Sequence, residues 1–308
     1  MAAASPSNVT TVHVIVFPGT GNLAMFAAEA QGFFRQEEVR LELTYTRTSR
    51  EQLLGLIEGK WDIAHTAVDN VIAYTEEGAD LMAFMGLDSS TLSLWVQPGI
   101  SSFDQLRGSP LAVDAVHTAF ALVLRRILLD NGLGPDDYQL VPIGGTDLRF
   151  EAMREGRAAG TLMTPPFDVL AERAGLRCLG RINDYLSTYQ GGVGACRREW
   201  AWEHRELLVR YIRGYVAGLR WVMDPANRAQ ATALLQERLQ LSSDVAAGTL
   251  DSVLNPAWGL LPEARLRRDG IRVVIELRGQ MGFLQEPLPA PEKYYDLSYY
   301  EEALQGVS

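Results

Sequence analysis

Two histidines and two aspartates are the residues of this sequence whose types and spacing suit proton transfer or polar ligand binding. His65 and Asp69 stand four positions apart, and Asp114 and His117 stand three apart. Imidazole and carboxylate groups act as general acids and bases when a fold places them within hydrogen-bond reach of a substrate. They also hydrogen-bond to a ligand that leaves unchanged. The sequence admits both uses, and no third ligand at a diagnostic spacing supports a metal site.

Further polar and aromatic residues follow the same or other predicted strands and complete the set of candidate ligand contacts. They are Thr20, Asn22, Thr66, Asn70, Thr118, Thr164, Phe167 and Tyr189. Structural roles explain several of them equally well, because Asn22, Asp69 and Thr118 suit helix N-caps. The two prolines after Thr164 suit a rigid turn. Both explanations stay open at this point.

The local motifs of several enzyme classes do not occur. No GxSxG elbow supports a serine hydrolase, and the glycines at 19 and 21 are too few for a dinucleotide fingerprint. Gly191 and Gly192 follow Tyr189 and have neither a lysine nor the spacing of a phosphate loop. They are better explained as hinge or close-approach positions.

The composition is that of an ordinary globular protein. Of 308 residues, 47% are hydrophobic and 21% charged, with a formal net charge of -10. An acidic field of this size repels a phosphate backbone, so we expect no nucleic-acid partner. No apolar run is long enough for a transmembrane segment. Two cysteines, Cys178 and Cys196, allow at most one disulfide, and the sequence does not decide whether they pair.

Hydrophobic patterning predicts strands and helices in alternation. A β-branched strand at 9–17 opens a block of alternating elements that ends near residue 88, and a second such block covers about 92–174. From residue 198 onward the pattern is helical. This order favours two α/β lobes, with the C-terminal helices covering the first lobe.

Several segments carry a resemblance to a known family. They are residues 30–34 (AQGFF), 38–43 (EVRLEL), 56–64 (LIEGKWDIA), 102–108 (SFDQLRG) and 296–298 (DLS). In this order the chain resembles, from about Val9 to Leu304, the type II periplasmic-binding-protein fold. The similar branch contains the sulfonate, taurine and nitrate receptors (SsuA-like, TauA-like) together with the thiamine-pyrimidine synthases.

The resemblance implies a two-lobed α/β protein with a central cleft and a helical C-terminal extension packed on lobe one. Lobe one is expected at residues 9–88 and 195–308, and lobe two at 89–194. The loops that follow strands in both lobes should face the cleft, as in other open α/β sheets. Those loops hold the candidate residues named above.

The function implied by this family is that of a solute receptor that delivers a small organic molecule to an ABC permease, with no cofactor and no metal. The loops contain four aspartates, namely Asp69, Asp88, Asp114 and Asp168, and no arginine. Because arginine is the usual partner of a strong oxyanion, a neutral, cationic or partly aromatic ligand fits better.

A cytoplasmic enzyme on the same fold is the alternative, and the sequence leaves it open. His65, His117, Asp69 and Asp114 would then act as acid and base groups in a decarboxylase, a lyase or a synthase-like enzyme. Against the synthase, its cysteine-rich motif is missing, and Lys60 precedes the strand whose following loop should carry a lysine. Residues 1–8 do not resemble a secretory signal. A removed leader would place the protein outside the cytoplasm, and a native Met1 would place it inside.

Overall fold

A computed structural model describes residues 9–186 and 188–305. Its core consists of two separate five-stranded mixed sheets with helices packed on them. The two-lobed α/β architecture expected from the sequence is confirmed.

The first sheet carries the N-terminal strands and one strand that returns from the second lobe. Its members are β1 (Thr10–Val16), β2 (Val39–Tyr45), β3 (Ile63–Ala67), β4 (Leu81–Gly86) and β10 (Gly192–Arg197). In the order β2-β1-β3-β10-β4, β1 is parallel to β2 and β3, whereas β10 is antiparallel to β3 and β4. Parallel strands place the loops after β1 and β3 at one edge of the sheet.

The second sheet lies wholly between the two crossings of the chain. Its members are β5 (Ser93–Val96), β6 (Pro110–Val113), β7 (Gln139–Pro142), β8 (Gly160–Met163) and β9 (Arg177–Arg181). Their order is β7-β6-β8-β5-β9, and β6 is parallel to both β7 and β8. The loops after β6, β7 and β8 therefore share one edge, which is where the sequence predicts the second-lobe candidates.

Helices cover both sheets, and the C-terminal ones extend the first lobe. Those of the first block are α1 (Leu23–Ala30), α2 (Phe33–Gln36), α3 (Ser49–Ile57) and α4 (Val68–Glu76). The second lobe contributes α5 (Ala119–Asp130), α6 (Thr146–Arg154) and α7 (Phe167–Arg173). The C-terminal helices are α8 (Arg198–Glu203), α9 (Arg205–Met223), α10 (Arg228–Leu239), α11 (Ser243–Val253), α12 (Arg268–Gln280) and α13 (Ser298–Leu304).

The C-terminal helices pack on the first lobe as expected. Helix α9 lies along α1, and its Tyr211 and Tyr215 share one apolar core with β1 and β4. Helix α12 behaves differently, because it contacts α4 of the first lobe and α5 of the second. It therefore brings side chains to both lobes, as does α11, which contacts α7 of the second lobe.

The two crossings lie side by side. The Gly191 amide donates to the Asp88 carbonyl, and the Leu87 amide donates to the Gly192 carbonyl. A Cβ atom on Gly191 or Gly192 would lie 2.5 Å from a carboxylate oxygen of Asp88. These glycines are thus close-approach residues, since a side chain would separate the crossings.

Two strands escaped the sequence analysis. β9 and β10 carry arginines and glycines, which weaken the strand pattern. β10 begins at Gly192, and the exact lobe limits at 88/89 and 194/195 stay a prediction. Cys178 is an exposed free thiol and Cys196 a buried one. Over the described residues, we find no helix that combines the length and apolarity needed to cross a membrane.

Candidate functional site

Asp69 lies in the first turn of α4, directly after β3, and is buried. Its Oδ1 atom accepts a hydrogen bond of 2.8 Å from Nη1 of Arg278, a buried residue of α12. Ala67 is the N-cap residue of α4, so the alternative that Asp69 caps this helix is wrong. Its role is to pair with an arginine that reaches it from the C-terminal extension.

Asp114 occupies the corresponding loop of the second lobe, after β6. Its Oδ1 atom accepts a 2.6 Å hydrogen bond from the Thr118 hydroxyl. That hydroxyl also accepts from the Ala121 amide, which confirms Thr118 as the N-cap of α5. Asp114 is only half-buried and has no ion pair within 4.0 Å among the described residues.

The charge of Asp114 in the second lobe acts on Asp69 in the first. Burial raises the pKa of Asp69, the charge of Arg278 opposes that shift, and the negative charge of Asp114 adds to it. Burial also raises the pKa of Tyr189, and Asp69 and Asp88 raise it further. Asp69, Asp114, Tyr189 and Arg278 thus form one group, which we call the charged cluster.

His117 lies at the edge of the charged cluster. The residue is exposed, and its ring centroid lies 5.3 Å from that of Phe283 in an edge-to-face arrangement. The same Phe283 ring lies 5.6 Å from Cζ of Arg278. The Phe283 ring therefore contacts both the arginine and His117 of the second lobe.

His65 is not part of the charged cluster. Its Nε2 atom lies 2.8 Å from the Tyr211 hydroxyl, and its ring packs edge-on against Tyr215. Burial lowers the pKa of His65 to about 3, so the imidazole is neutral at physiological pH. Its Nδ1 atom and the Tyr215 hydroxyl have no hydrogen-bond partner among the described residues.

Three further candidates are held by local contacts. The Asn70 amide donates 2.9 Å to the Thr66 hydroxyl, and both residues are buried. Asn22 precedes α1, yet its side chain makes no cap and donates to the Phe17 carbonyl instead. The expectation of an Asn22 cap is therefore wrong, because the side chain is used to fix the end of β1.

The loop after β8 contacts the first lobe directly. The Thr20 hydroxyl donates 3.0 Å to the Pro165 carbonyl across the lobes. Ser252 of α11 donates 2.6 Å to a carboxylate oxygen of Asp168. Within the second lobe, the Thr164 carbonyl accepts from the Phe167 amide, and the Phe167 ring packs 5.7 Å from that of Phe150.

Sequence reasoning missed two buried arginines. Arg149 on α6 is 1% exposed and Arg278 on α12 is 7% exposed. Both lie on helices, whereas the predicted site residues lie in the loops after strands and at the starts of the following helices. Arg278 follows Ile271, Val274 and Ile275 at helical spacing, so it stands on the buried face of α12. A charged residue on a predicted apolar stripe was the available signal.

Arg149 fills most of its hydrogen-bonding capacity within the second lobe. Its guanidinium donates to the Gly144 carbonyl, the Thr161 hydroxyl, the Leu162 carbonyl and the Thr146 hydroxyl. Burial lowers its pKa to about 10, and Asp114 and Asp147 oppose that shift. Arg149 therefore supplies a positive charge close to Asp114 without an ion pair.

The sequence matches one known protein family over most of its length. The family model described as "NMT1/THI5 like" matches residues 20–229. No curated protein matches the sequence.

Several solved structures have a similar fold over almost the whole length of this chain. One is the zinc-bound ligand-binding component of an ABC-type import system from Staphylococcus aureus, with 17% identity, coverage of 96% of this chain and 99% of that chain, and a TM-score of 0.80. Another is the periplasmic aliphatic sulphonate-binding protein SsuA from Escherichia coli, at 18% identity, 95% and 93% coverage and a TM-score of 0.76. The desulfurization enzyme DSZB has 16% identity, 97% and 99% coverage and a TM-score of 0.70. At such identities the likeness establishes the fold alone.

Proposed function

Because this chain belongs to the NMT1/THI5-like family, we propose that it is the solute receptor of an ABC importer, with two lobes that close on a small organic molecule. An extracytoplasmic location and a permease partner belong to the proposal. They follow the Staphylococcus aureus and Escherichia coli proteins, which are described as an import component and a periplasmic binding protein.

The observation that carries the proposal is the direct contact between loops of opposite lobes. Thr20 follows β1 of the first lobe, Pro165 follows β8 of the second, and a hydrogen bond joins them. Loops at the carboxyl ends of strands are where open α/β sheets bind ligands. A receptor needs such loops to meet when its lobes close on a solute.

The positions of the four acid and base candidates favour a receptor over an enzyme. His65 is bonded to Tyr211, Asp69 to Arg278 and Asp114 to Thr118. His117 is exposed and packs on Phe283. A general base must reach the proton it removes. These groups are engaged with separate partners, which suits ligand contact better than concerted proton transfer.

The charged groups around the cleft support a ligand that carries a positive group or no net charge. The four loop aspartates, Asp69, Asp88, Asp114 and Asp168, outnumber the two buried arginines, Arg149 and Arg278. A strongly anionic ligand would therefore add to an excess of negative charge in a partly buried site. The rings of His117 and Phe283 suit a partly aromatic ligand.

An enzyme is the second candidate, since DSZB shares the fold. A thermal-shift screen of metabolites separates the two candidates. A compound that binds the folded state raises the melting temperature. Mass spectrometry after prolonged incubation should then recover that compound unchanged. Its conversion into a product would refute the receptor proposal and favour the enzyme.

A further inference from the structure

Arg278 is a buried arginine that uses few of its hydrogen-bond donors. A guanidinium carries five N–H groups in a rigid fork. The described residues supply Arg278 with one hydrogen-bond acceptor, Oδ1 of Asp69, which binds Nη1. Its Nε atom is buried and has no partner. An unpaired buried donor costs free energy, and a ligand or an ordered water removes that cost when it binds.

The geometry identifies which edge of the guanidinium is unpaired. Asp69 takes Nη1, and Nε and Nη2 both lack an acceptor among the described residues. Nε and Nη2 form the edge that a carboxylate engages with two parallel hydrogen bonds. Asp69 meanwhile fixes the orientation of the group. Arg278 is thus oriented by the protein while a complete bidentate edge remains unused.

The surroundings of Arg278 belong to both lobes. Its helix α12 contacts α4 and α5. Phe283 lies beside the guanidinium and joins it to His117 of the second lobe. A solute that enters between open lobes can therefore meet this edge before closure buries it.

We propose that the Nε and Nη2 atoms of Arg278 bind a carboxylate of the solute, which makes Arg278 the specificity-determining residue of the cleft. The inference rests on the proposed receptor function and narrows it. Asp114 makes no ion pair among the described residues, so it is the acceptor for a positive group of the same solute. The ligand class is a small zwitterion with a carboxylate.

Acetate is the minimal probe of this subsite, because it carries the carboxylate without imposing a shape. We suggest titrating 15N-labelled protein with sodium acetate at constant ionic strength against chloride and following the arginine Nε–H signals by NMR. The Arg278 signal should shift saturably at millimolar acetate. The Arg149 signal should not, since its Nε already donates to Gly144. The absence of a saturable Arg278 shift would overturn the inference.

Arg278→Lys is the informative variant. Lysine keeps a positive charge for Asp69 but offers no planar edge, so acetate affinity should fall about tenfold. Arg272→Lys is the matched control, because Arg272 is an exposed residue of the same helix. It should bind acetate like the wild type. Equal affinity in the Arg278→Lys protein would also overturn the inference.

The two proposals fail in different ways. Conversion of a stabilising compound into a product refutes the receptor function whatever Arg278 does. If a compound is recovered unchanged and binds the Arg278→Lys variant as tightly as the wild type, the receptor stands and the role of Arg278 is refuted.

Discussion

Arg149 and Arg278 are both buried arginines near the cleft, yet their surroundings differ in one respect. Arg149 donates to four acceptors of the second lobe, whereas Arg278 has one acceptor, Asp69, among the described residues. A saturated guanidinium holds loops in place, and an unsaturated one keeps donors for another molecule. Burial alone does not distinguish the two roles, but the count of satisfied donors does.

The largest expected effect is on stability and concerns the saturated arginine. Arg149→Met removes donors from two carbonyls and two hydroxyls, so we expect the free energy of unfolding to fall by about 3–5 kcal/mol. Urea denaturation measures this change. Arg154→Met is the control, because Arg154 is exposed on the same helix, and it should cost less than about 0.5 kcal/mol. Similar losses of stability in both variants would show that the hydrogen bonds of Arg149 do not stabilise the fold.

His65 has a hydrogen-bond partner at Nε2 and none at Nδ1 among the described residues. Its contribution to the stability of the folded protein depends on pH. Since burial lowers its pKa from 6.5 to about 3, the unfolded state binds the proton more readily between those values. Stability therefore falls as the pH drops below 6.5, by about 2 kcal/mol between pH 7 and pH 5. The raised pKa of Asp69 has the opposite effect, because it increases the stability of the folded state as the pH falls.

The His65 contribution is isolated by comparing the wild type with His65→Gln at each pH. Glutamine does not titrate, so the difference in the free energy of unfolding should shrink as the pH falls. A difference that stays constant from pH 7 to pH 5 would show that folding does not change the pKa of His65.

Tyr211 and Tyr215 provide the same comparison at a smaller scale. The Tyr211 hydroxyl bonds His65, and the Tyr215 hydroxyl has no partner among the described residues. Tyr211→Phe should cost about 1–2 kcal/mol of stability, while Tyr215→Phe should be neutral within about 0.5 kcal/mol. Thermal unfolding of the two variants checks this order. A larger loss in Tyr215→Phe would mean that its hydroxyl has a partner such as a buried water.

The alternation of apolar strands and amphipathic helices was sufficient to predict two α/β lobes and a helical extension. It failed for β9 and β10, whose arginines and glycines resemble a loop. The placement of β10 in the middle of the first sheet depends on long-range pairing with β3 and β4, which local pattern does not encode.

The candidate site was predicted only in part. Asp69 follows β3 and Asp114 follows β6, at the strand ends where the sequence pattern placed them, and the charge of Asp114 acts on Asp69. His65 and Asp69 separate because the chain changes from strand to helix at Val68, so their four-residue spacing does not place them on one helical face. Arg278 is distant in sequence and follows from the packing of α12.

Small-angle X-ray scattering tests the central claim most directly. The radius of gyration is measured with and without a saturating amount of a compound that raises the melting temperature and is recovered unchanged. The account predicts a smaller radius with the compound, because the lobes close on it. An unchanged radius, with the compound bound at full occupancy, would contradict a receptor that works by closing its cleft.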